Sequence, residues 1–434
     1  MIMTSPLNTR SMTGLRVLEI GTSVAGPFAT QILGDLGAEV IKIERVTGGD
    51  DTRSWAPPAW NDESVAFLSF NRNKKSLALD FKTPSGRKIL ERLVGTVDVL
   101  VQNLRPGALA ASGFSAGRLR QLNPRLIYCE MTGFGGRGPR GNQPAYDPLL
   151  QAYAGIVSIT GEEGGAPVRV PVSILDMGTA MWSVIAVQDA LSQRDRTGVG
   201  CHIETSLLQT AVSWLASSLV GVLAGGSSPS RLGSGVAGVV PYGAFPTSDG
   251  HVFISAGNDA AWGRLCDALD ADDLRQDGTY ATNPLRAQRR ERVNADVARR
   301  TRRYTIKELL ARLEAHQVPC APVRDIAEVA QDEQVLELGQ LQDLPHAAIP
   351  DLRVINTPAT FDGAYPPHQS APPALGEHSA HVLRSVGATE EDIARLIADG
   401  VVTQPAHQPA LADGRDLDPL PSSGHPPSTG RPLI

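Results

Sequence analysis

From residue 15 onward, short apolar runs alternate with stretches of helical periodicity, and nothing else in the chain constrains its fold so strongly. LRVLEIG (15–21) reads as a buried strand, GPFATQILGDLG (26–37) as a helix and AEVIKIE (38–44) as a strand again. SLALDF (76–81), DVLVQN (98–103) and RLIYCEMTG (125–133) continue the series, with a helix at SGRKILERLV (85–94). Strands separated by helical stretches of roughly 10–15 residues imply βαβ units and a parallel sheet. The expected class is α/β.

Further along, a long helix is expected over 176–195, followed by the strand-like GCHIETSL (200–207). The segment LLQTAVSWLASSLVGVLAGG (207–226) reads as one helix, apolar on all sides and so destined for burial against the core or another subunit. A Gly- and Ser-rich stretch over 225–243 marks a linker or mobile loop. AFPTSDGHVFISAG then predicts a hairpin turning at Asp249-Gly250, with basic helical segments over 284–315. These patterns divide the chain into 1–215, a linker at 216–239, a smaller α/β unit at 240–320, a segment at 321–400 and a tail at 401–434. The last 33 residues hold seven prolines without periodicity, the composition of a disordered tail.

A net charge of −6 argues against nucleic acid or an acidic membrane as a partner, although a local basic cluster still suits an anionic ligand. Cys129, Cys201, Cys266 and Cys320 are far apart, with no CxxC pair, so no metal site is assigned. No run reaches the roughly 18 apolar residues of a membrane span, and the first residues carry no signal-like apolar core. A cytoplasmic location is the expectation.

The turn GTSVAGP (21–27) closes the first strand and opens the first helix, where doubly wound sheets bind nucleotides. It is not GxGxxG, so a dinucleotide is not indicated. Basic residues are expected to gather beyond strand ends: Lys42, Arg45, Arg72, Lys74, Lys75, Lys82 and Arg105. Each alone reads as a solvated surface charge; their recurrence points to a phosphate-bearing ligand. Asp176, opening the long helix, reads first as an N-cap, because free N–H groups there favour a carboxylate. The same position also suits an ionised carboxylate poised to attack a thioester. Tyr146 and Asp147, ahead of Pro148, read as another helix start. No histidine precedes His202 and no GxSxG occurs, which disfavours a nucleophilic triad.

Taken in order, these segments resemble the class III CoA-transferase family, which includes formyl-CoA and carnitine CoA-transferases, with α-methylacyl-CoA racemases as relatives. The resemblance runs over about 13–400 through LRVLEIGTSVAGPFATQILGDLGAEVIKIE, GGDDTR, FNRNKKSLALDFKTPSG, VDVLVQNLRPGAL, LNPRLIYCEMTGFG, YDPLLQAYAGIVSITG, the DMGTA helix, PYGAFPTSDGHVFISAGND, HQVPCAPV and PALGEHS. It implies an open Rossmann-like large domain built from both chain ends, a small central domain, and two chains interlocked as a homodimer. It implies Asp176 as the catalytic nucleophile, with Tyr146, Asp147 and Val24 beside it, and CoA held at Arg45, Leu79, Lys82, Asn103 and Leu104. Val24 stands where some members carry Gln, and Ala111 where some carry Arg. CoA and acyl-CoA enter as substrates with no permanently bound cofactor. The partners are then an acyl-CoA and a small carboxylic acid, not nucleic acid or membrane.

The expected reaction moves CoA from a donor such as succinyl-CoA to an acceptor acid through an aspartyl anhydride and an aspartyl-CoA thioester. A racemase of this fold carries His where Tyr146 stands, and a phenol with a pKa near 10 is a poor base at neutral pH. A non-catalytic subunit of a heterodimer is disfavoured by the presence of Asp176. An NAD-dependent oxidoreductase is disfavoured by the missing glycine fingerprint.

Overall fold

The computed structural model describes residues 10–368 and 370–405. The first half supplies β1 (Arg16–Ile20), α1 (Ala25–Asp35), β2 (Glu39–Glu44), β3 (Lys74–Leu79), α2 (Pro84–Val94), β4 (Val99–Gln102) and β5 (Ile127–Thr132). Then come α3 (Asp147–Tyr153), α4 (Ile174–Thr197), β6 (His202–Ser206), α5 (Leu207–Trp214) and α6 (Ala216–Leu223). The later part adds β7 (Tyr242–Pro246), β8 (His251–Ser255), α7 (Asp259–Ala268), α8 (Arg290–Thr301), α9 (Ile306–Ala315) and β9 (Cys320–Pro322). The last elements are α10 (Ser379–Ser385), α11 (Glu390–Ala398) and β10 (Val402–Thr403).

The large sheet runs β10-β3-β2-β1-β4-β5-β6, all parallel except the antiparallel edge strand β10. Apolar residues of β1, β2, β3 and β4 serve both faces because helices cover both, with Glu19, Lys42 and Lys74 buried among them. Successive residues serve opposite layers. Leu18, Ile41 and Leu100 pack with Leu90 and Leu93 of α2 and with Leu383 and Leu396 of α10 and α11. Val17, Val40 and Val99 pack with Ala29 and Leu33 of α1 and with Ala180 and Val187 of α4.

β1 is flanked by β2 on one side and β4 on the other, so the chain winds outward in both directions from it. Such a reversal of strand order opens a crevice at the carboxyl ends of the central strands. α1 and α4 both return from the carboxyl edge towards the amino edge before β2 and β6 begin, so both start at that crevice side.

A second buried cluster surrounds the antiparallel sheet β9-β8-β7, with α7, α8 and α9 supplying Trp262, Leu265, Val293, Val297, Leu309 and Leu313. The hairpin turns at Asp249-Gly250, and Asp249 Oδ1 accepts from the Ile306 amide at 2.8 Å, tying the turn to α9.

Two expectations are corrected. The apolar segment 207–226 is not one continuous helix: it breaks at Leu215, whose φ of −85° and ψ of 9° end α5, and within this chain α6 buries no residue. The segment expected to be a tail from 401 begins instead as structure. Val401 and Val402 are buried, and β10 pairs with Leu79 and Ala78, because an apolar Val-Val pair gains more at the edge of β3 than in water. Residues 406–434, the rest of that tail, lie outside the described residues.

Candidate active site

The crevice is built around an amide. Asn103, just beyond β4, accepts from the Thr22 amide through Oδ1 at 3.0 Å and donates to the Thr22 carbonyl through Nδ2 at 2.8 Å. This stitches the β1–α1 turn to the next strand. A Cβ on Gly21 would fall 2.2 Å from Asn103 Oδ1, and one on Gly26 2.8 Å from it, so both glycines of the turn are needed for the approach. Val24 is buried as the residue entering α1.

The other residues expected to hold a ligand follow neighbouring strands at the same edge. Arg45, after β2, is exposed and donates to the Gly49 carbonyl at 2.9 Å and to Asp51 at 2.5 Å. Lys82 and Arg105, after β3 and β4, are exposed, and Leu104 is half-buried. The Leu104 amide donates to the Gln102 side chain at 2.8 Å, and Gln102 in turn donates to the Tyr128 hydroxyl at 3.1 Å. The Leu79 side chain is sunk in the core, so this position offers a ligand only main-chain atoms. Ala111 is exposed at the end of the short helix Ala108–Ala111.

The other basic residues do not join this cluster, and that expectation is corrected. Arg72, Lys74 and Lys75 precede or begin β3 and so lie at the amino edge. Arg72 is buried against Asp35, and Lys75 pairs with Glu39. Lys42 and Lys74 are internal: Glu19 bridges them at 2.5 and 2.9 Å, and Lys42 also meets Asp50 at 2.7 Å. Burial acts to lower the Lys42 ammonium pKa, yet Glu19 and Asp50 outweigh it and hold the group above its ordinary value. Lys74 has fewer carboxylates; burial and the adjacent Lys42 bring it down to about 8. These ions form the floor under the turn. Asp50 Oδ1 accepts from the Ser23 amide at 3.2 Å, fixing a residue in the left-handed region at φ 68°.

Asp176 stands two residues inside α4 rather than at its cap, which is Ser173 without a side-chain cap bond. The carboxylate that caps this helix comes from elsewhere. Asp147 Oδ2 accepts from the Leu175 amide at 2.6 Å and from the Asp176 amide at 3.1 Å. Its Oδ1 takes a 2.5 Å bond from Gln151, whose own oxygen accepts from the Val170 amide at 2.8 Å. Gln151, fully buried, was not legible as a site residue; only its spacing of four from Asp147 on α3 hints that the two meet.

With its amide held this way, the Asp176 carboxyl is left without a hydrogen-bonding partner among the described residues. Burial, and then the Asp147 carboxylate beside it, push its pKa up to about 7. A half-buried carboxyl of this kind can serve chemically as a nucleophile or as an acid–base group. Below it, α4 is clamped to α5: Thr179 and Thr210 share a 2.8 Å bond, and a Cβ on Gly178 would lie 2.3 Å from the Trp214 ring. Tyr146 ends just before α3, 64% exposed.

The sequence profile described as CoA-transferase family III matches residues 12–379. A succinyl-CoA:glutarate CoA-transferase of Mus musculus is 37% identical over 396 residues, 91% of this chain and 91% of the mouse protein. A succinate–glutarate CoA-transferase of Agrobacterium fabrum is 37% identical over 87% of this chain and 96% of its own. Among solved structures, a CAIB/BAIF family protein from Brucella suis superposes with a TM-score of 0.81 at 36% identity, over 87% of this chain and all of that one.

Proposed function

Since the chain belongs to CoA-transferase family III, an enzyme family, we propose that it carries CoA from succinyl-CoA or a similar donor to a second carboxylic acid, with Asp176 as the covalent nucleophile. The relatives named for succinyl-CoA and glutarate support the donor class and make a small dicarboxylate the first acceptor to test.

One observation carries the assignment to Asp176. Its carboxyl sits at the start of α4, on the crevice side of the sheet, with its amide pinned by Asp147 and no hydrogen bond on its side chain among the described residues. A half-buried carboxylate with no protein donor on its oxygens is less solvated than one in open water, and so a better nucleophile.

In the proposed sequence, a carboxylate oxygen of Asp176 attacks the thioester carbonyl. Collapse breaks the C–S bond, giving an aspartyl–acyl anhydride and CoA thiolate. The thiolate then attacks the aspartyl carbonyl, releasing the donor acid and leaving an aspartyl-CoA thioester. The acceptor carboxylate repeats the two steps in reverse. Arg45, Lys82, Asn103 and Leu104 hold the CoA along the crevice edge, with the backbone at Leu79 beneath. Tyr146 offers a phenol and no imidazole, which favours transfer over racemisation. The Gly- and Ser-rich segment 225–239 is the candidate lid over both activated intermediates.

The active unit is a homodimer of interlocked chains, each with the small unit 240–320 inserted in the larger one. Met181, Trp182 and Ile185 of α4, Val212 and Trp214 of α5, and Leu223 of α6, 84% exposed, together form apolar surface that a second copy covers.

The test is exchange of CoA between succinate and glutarate by Asp176→Ala and Asp176→Asn. Both are expected to lose more than about 10³-fold, and hydroxylamine added during wild-type turnover is expected to modify Asp176. Activity retained in both variants overturns the assignment.

A further inference from the structure

Arg45 already holds an anion of its own. Its guanidinium is 61% exposed and meets the 46% exposed carboxylate of Asp51 at 2.5 Å. The second oxygen of Asp51 accepts from the Thr22 hydroxyl at 3.1 Å, in the turn that Asn103 stitches to β4. Asp50, one residue earlier, is committed to the interior: it is buried on Lys42 and caps the turn Asp51–Ser54 through Thr52 at 2.8 Å. Arg53 anchors the far end of that turn with paired bonds of 2.7 and 2.8 Å to Glu44. The segment 50–54 is thus held by Asp50 and Arg53, and the Asp51 carboxylate is not needed to keep it in place.

We propose that Asp51 is a positioning residue that competes with the phosphates of acyl-CoA for Arg45, a built-in counter-ion that limits how tightly the enzyme holds its CoA ester. This rests on the reading that CoA binds along the Arg45 edge. A phosphate arriving at Arg45 must either displace Asp51 from the guanidinium or share the guanidinium's donors with it. The pair lies in solvent, so opening it is inexpensive and salt screens it. An enzyme that releases a new acyl-CoA in each cycle gains turnover from such a competitor, because uniformly tighter binding slows release without assisting the chemical steps.

The experiment is calorimetric titration of coenzyme A into the full-length protein at low and moderate salt, for wild type, Asp51→Asn, Arg45→Ala and the double variant, with the KM for succinyl-CoA measured alongside. Asp51→Asn is expected to tighten CoA about threefold to fivefold and to lower KM in proportion. Arg45→Ala is expected to weaken binding about tenfold, and the gain from Asp51→Asn should vanish in its background. If Arg45→Ala weakens binding but Asp51→Asn brings no gain, the competition is refuted while the CoA reading stands. A gain that persists without Arg45 refutes it as well, since Asp51 then repels the ligand directly. If Arg45→Ala leaves CoA binding unchanged, the reading of this edge as the CoA site fails and the competition with it.

Discussion

Asp147 and Asp176 sit side by side at the start of α4, yet their surroundings give them different work. Asp147 accepts two amides and a side-chain donor, whereas Asp176 accepts from none of the described residues and is pushed up to about 7. An attacking carboxylate must be ionised, so kcat/KM is expected to rise with pH through about 7 and level off above it. Asp147→Asn removes the neighbouring charge and should move that bend to lower pH; a wild-type profile that is flat from pH 5 to 8 contradicts the raised value. Stability carries the opposite sign. The folded-state value lies above the ordinary 3.8, so this carboxyl binds more proton in the folded chain in between, and its own contribution to stability falls as pH rises from about 4 to 7. The slope is at most about 1.4 kcal/mol per pH unit, and Asp176→Asn should abolish it. The residue pattern around Asp176 pointed to a helix cap, which Ser173 occupies instead, and its role as nucleophile was an implication of the family resemblance. Of its partners, Asp147 came only through the family resemblance and Gln151 not at all, since Asp147 lies 29 positions away and nothing local marks the pairing.

At the scale of elements, α4 begins and ends close to where periodicity puts it, but its cap is borrowed from α3 and its first turns are clamped by α5. Periodicity reports which side of a helix is apolar, not which neighbour supplies its terminal acceptors. The break at Leu215 was equally hidden, because Leu is a good helix former and neither Gly nor Pro marks the place. The contact of Gly178 with Trp214 gives this scale its test. Gly178→Ala is expected to destabilise the protein by about 1–3 kcal/mol, despite the better helix propensity of Ala, by forcing α5 off α4. Replacing Trp214 with Leu in that background should restore most of the melting temperature. A Gly178→Ala protein that melts like the wild type, or higher, removes the clamp from the account of how Asp176 is held.

For the whole molecule, the reversal of strand order at β1 brings the turn 21–27, Arg45, Lys82 and Asn103 to one edge, and the return of β10 closes the far side of the sheet. Beneath that edge, Lys42 and Lys74 spend their charge on Glu19 and Asp50 rather than on a ligand. In the proposed dimer the bare apolar face of α4, α5 and α6 is covered by the second copy. Light scattering should therefore return twice the chain mass. Val220→Asp, on the open face of α6, should shift the protein towards monomer at low concentration. A stable wild-type monomer at micromolar concentration would argue for a different use of that face.

What the sequence by itself determined was the alternation of strands and helices, the parallel sheet that follows from it, the glycine turn and the ordered motifs of the family. These are local or periodic, and a chain written in one dimension carries them directly. Only the tertiary structure decided which cations face solvent and which are walled in, whose carboxylate caps α4, and how the apolar segment after Ser206 breaks. Each of those depends on what packs against a residue from far along the chain, and burial, more than residue type, sets whether a charge is available for chemistry.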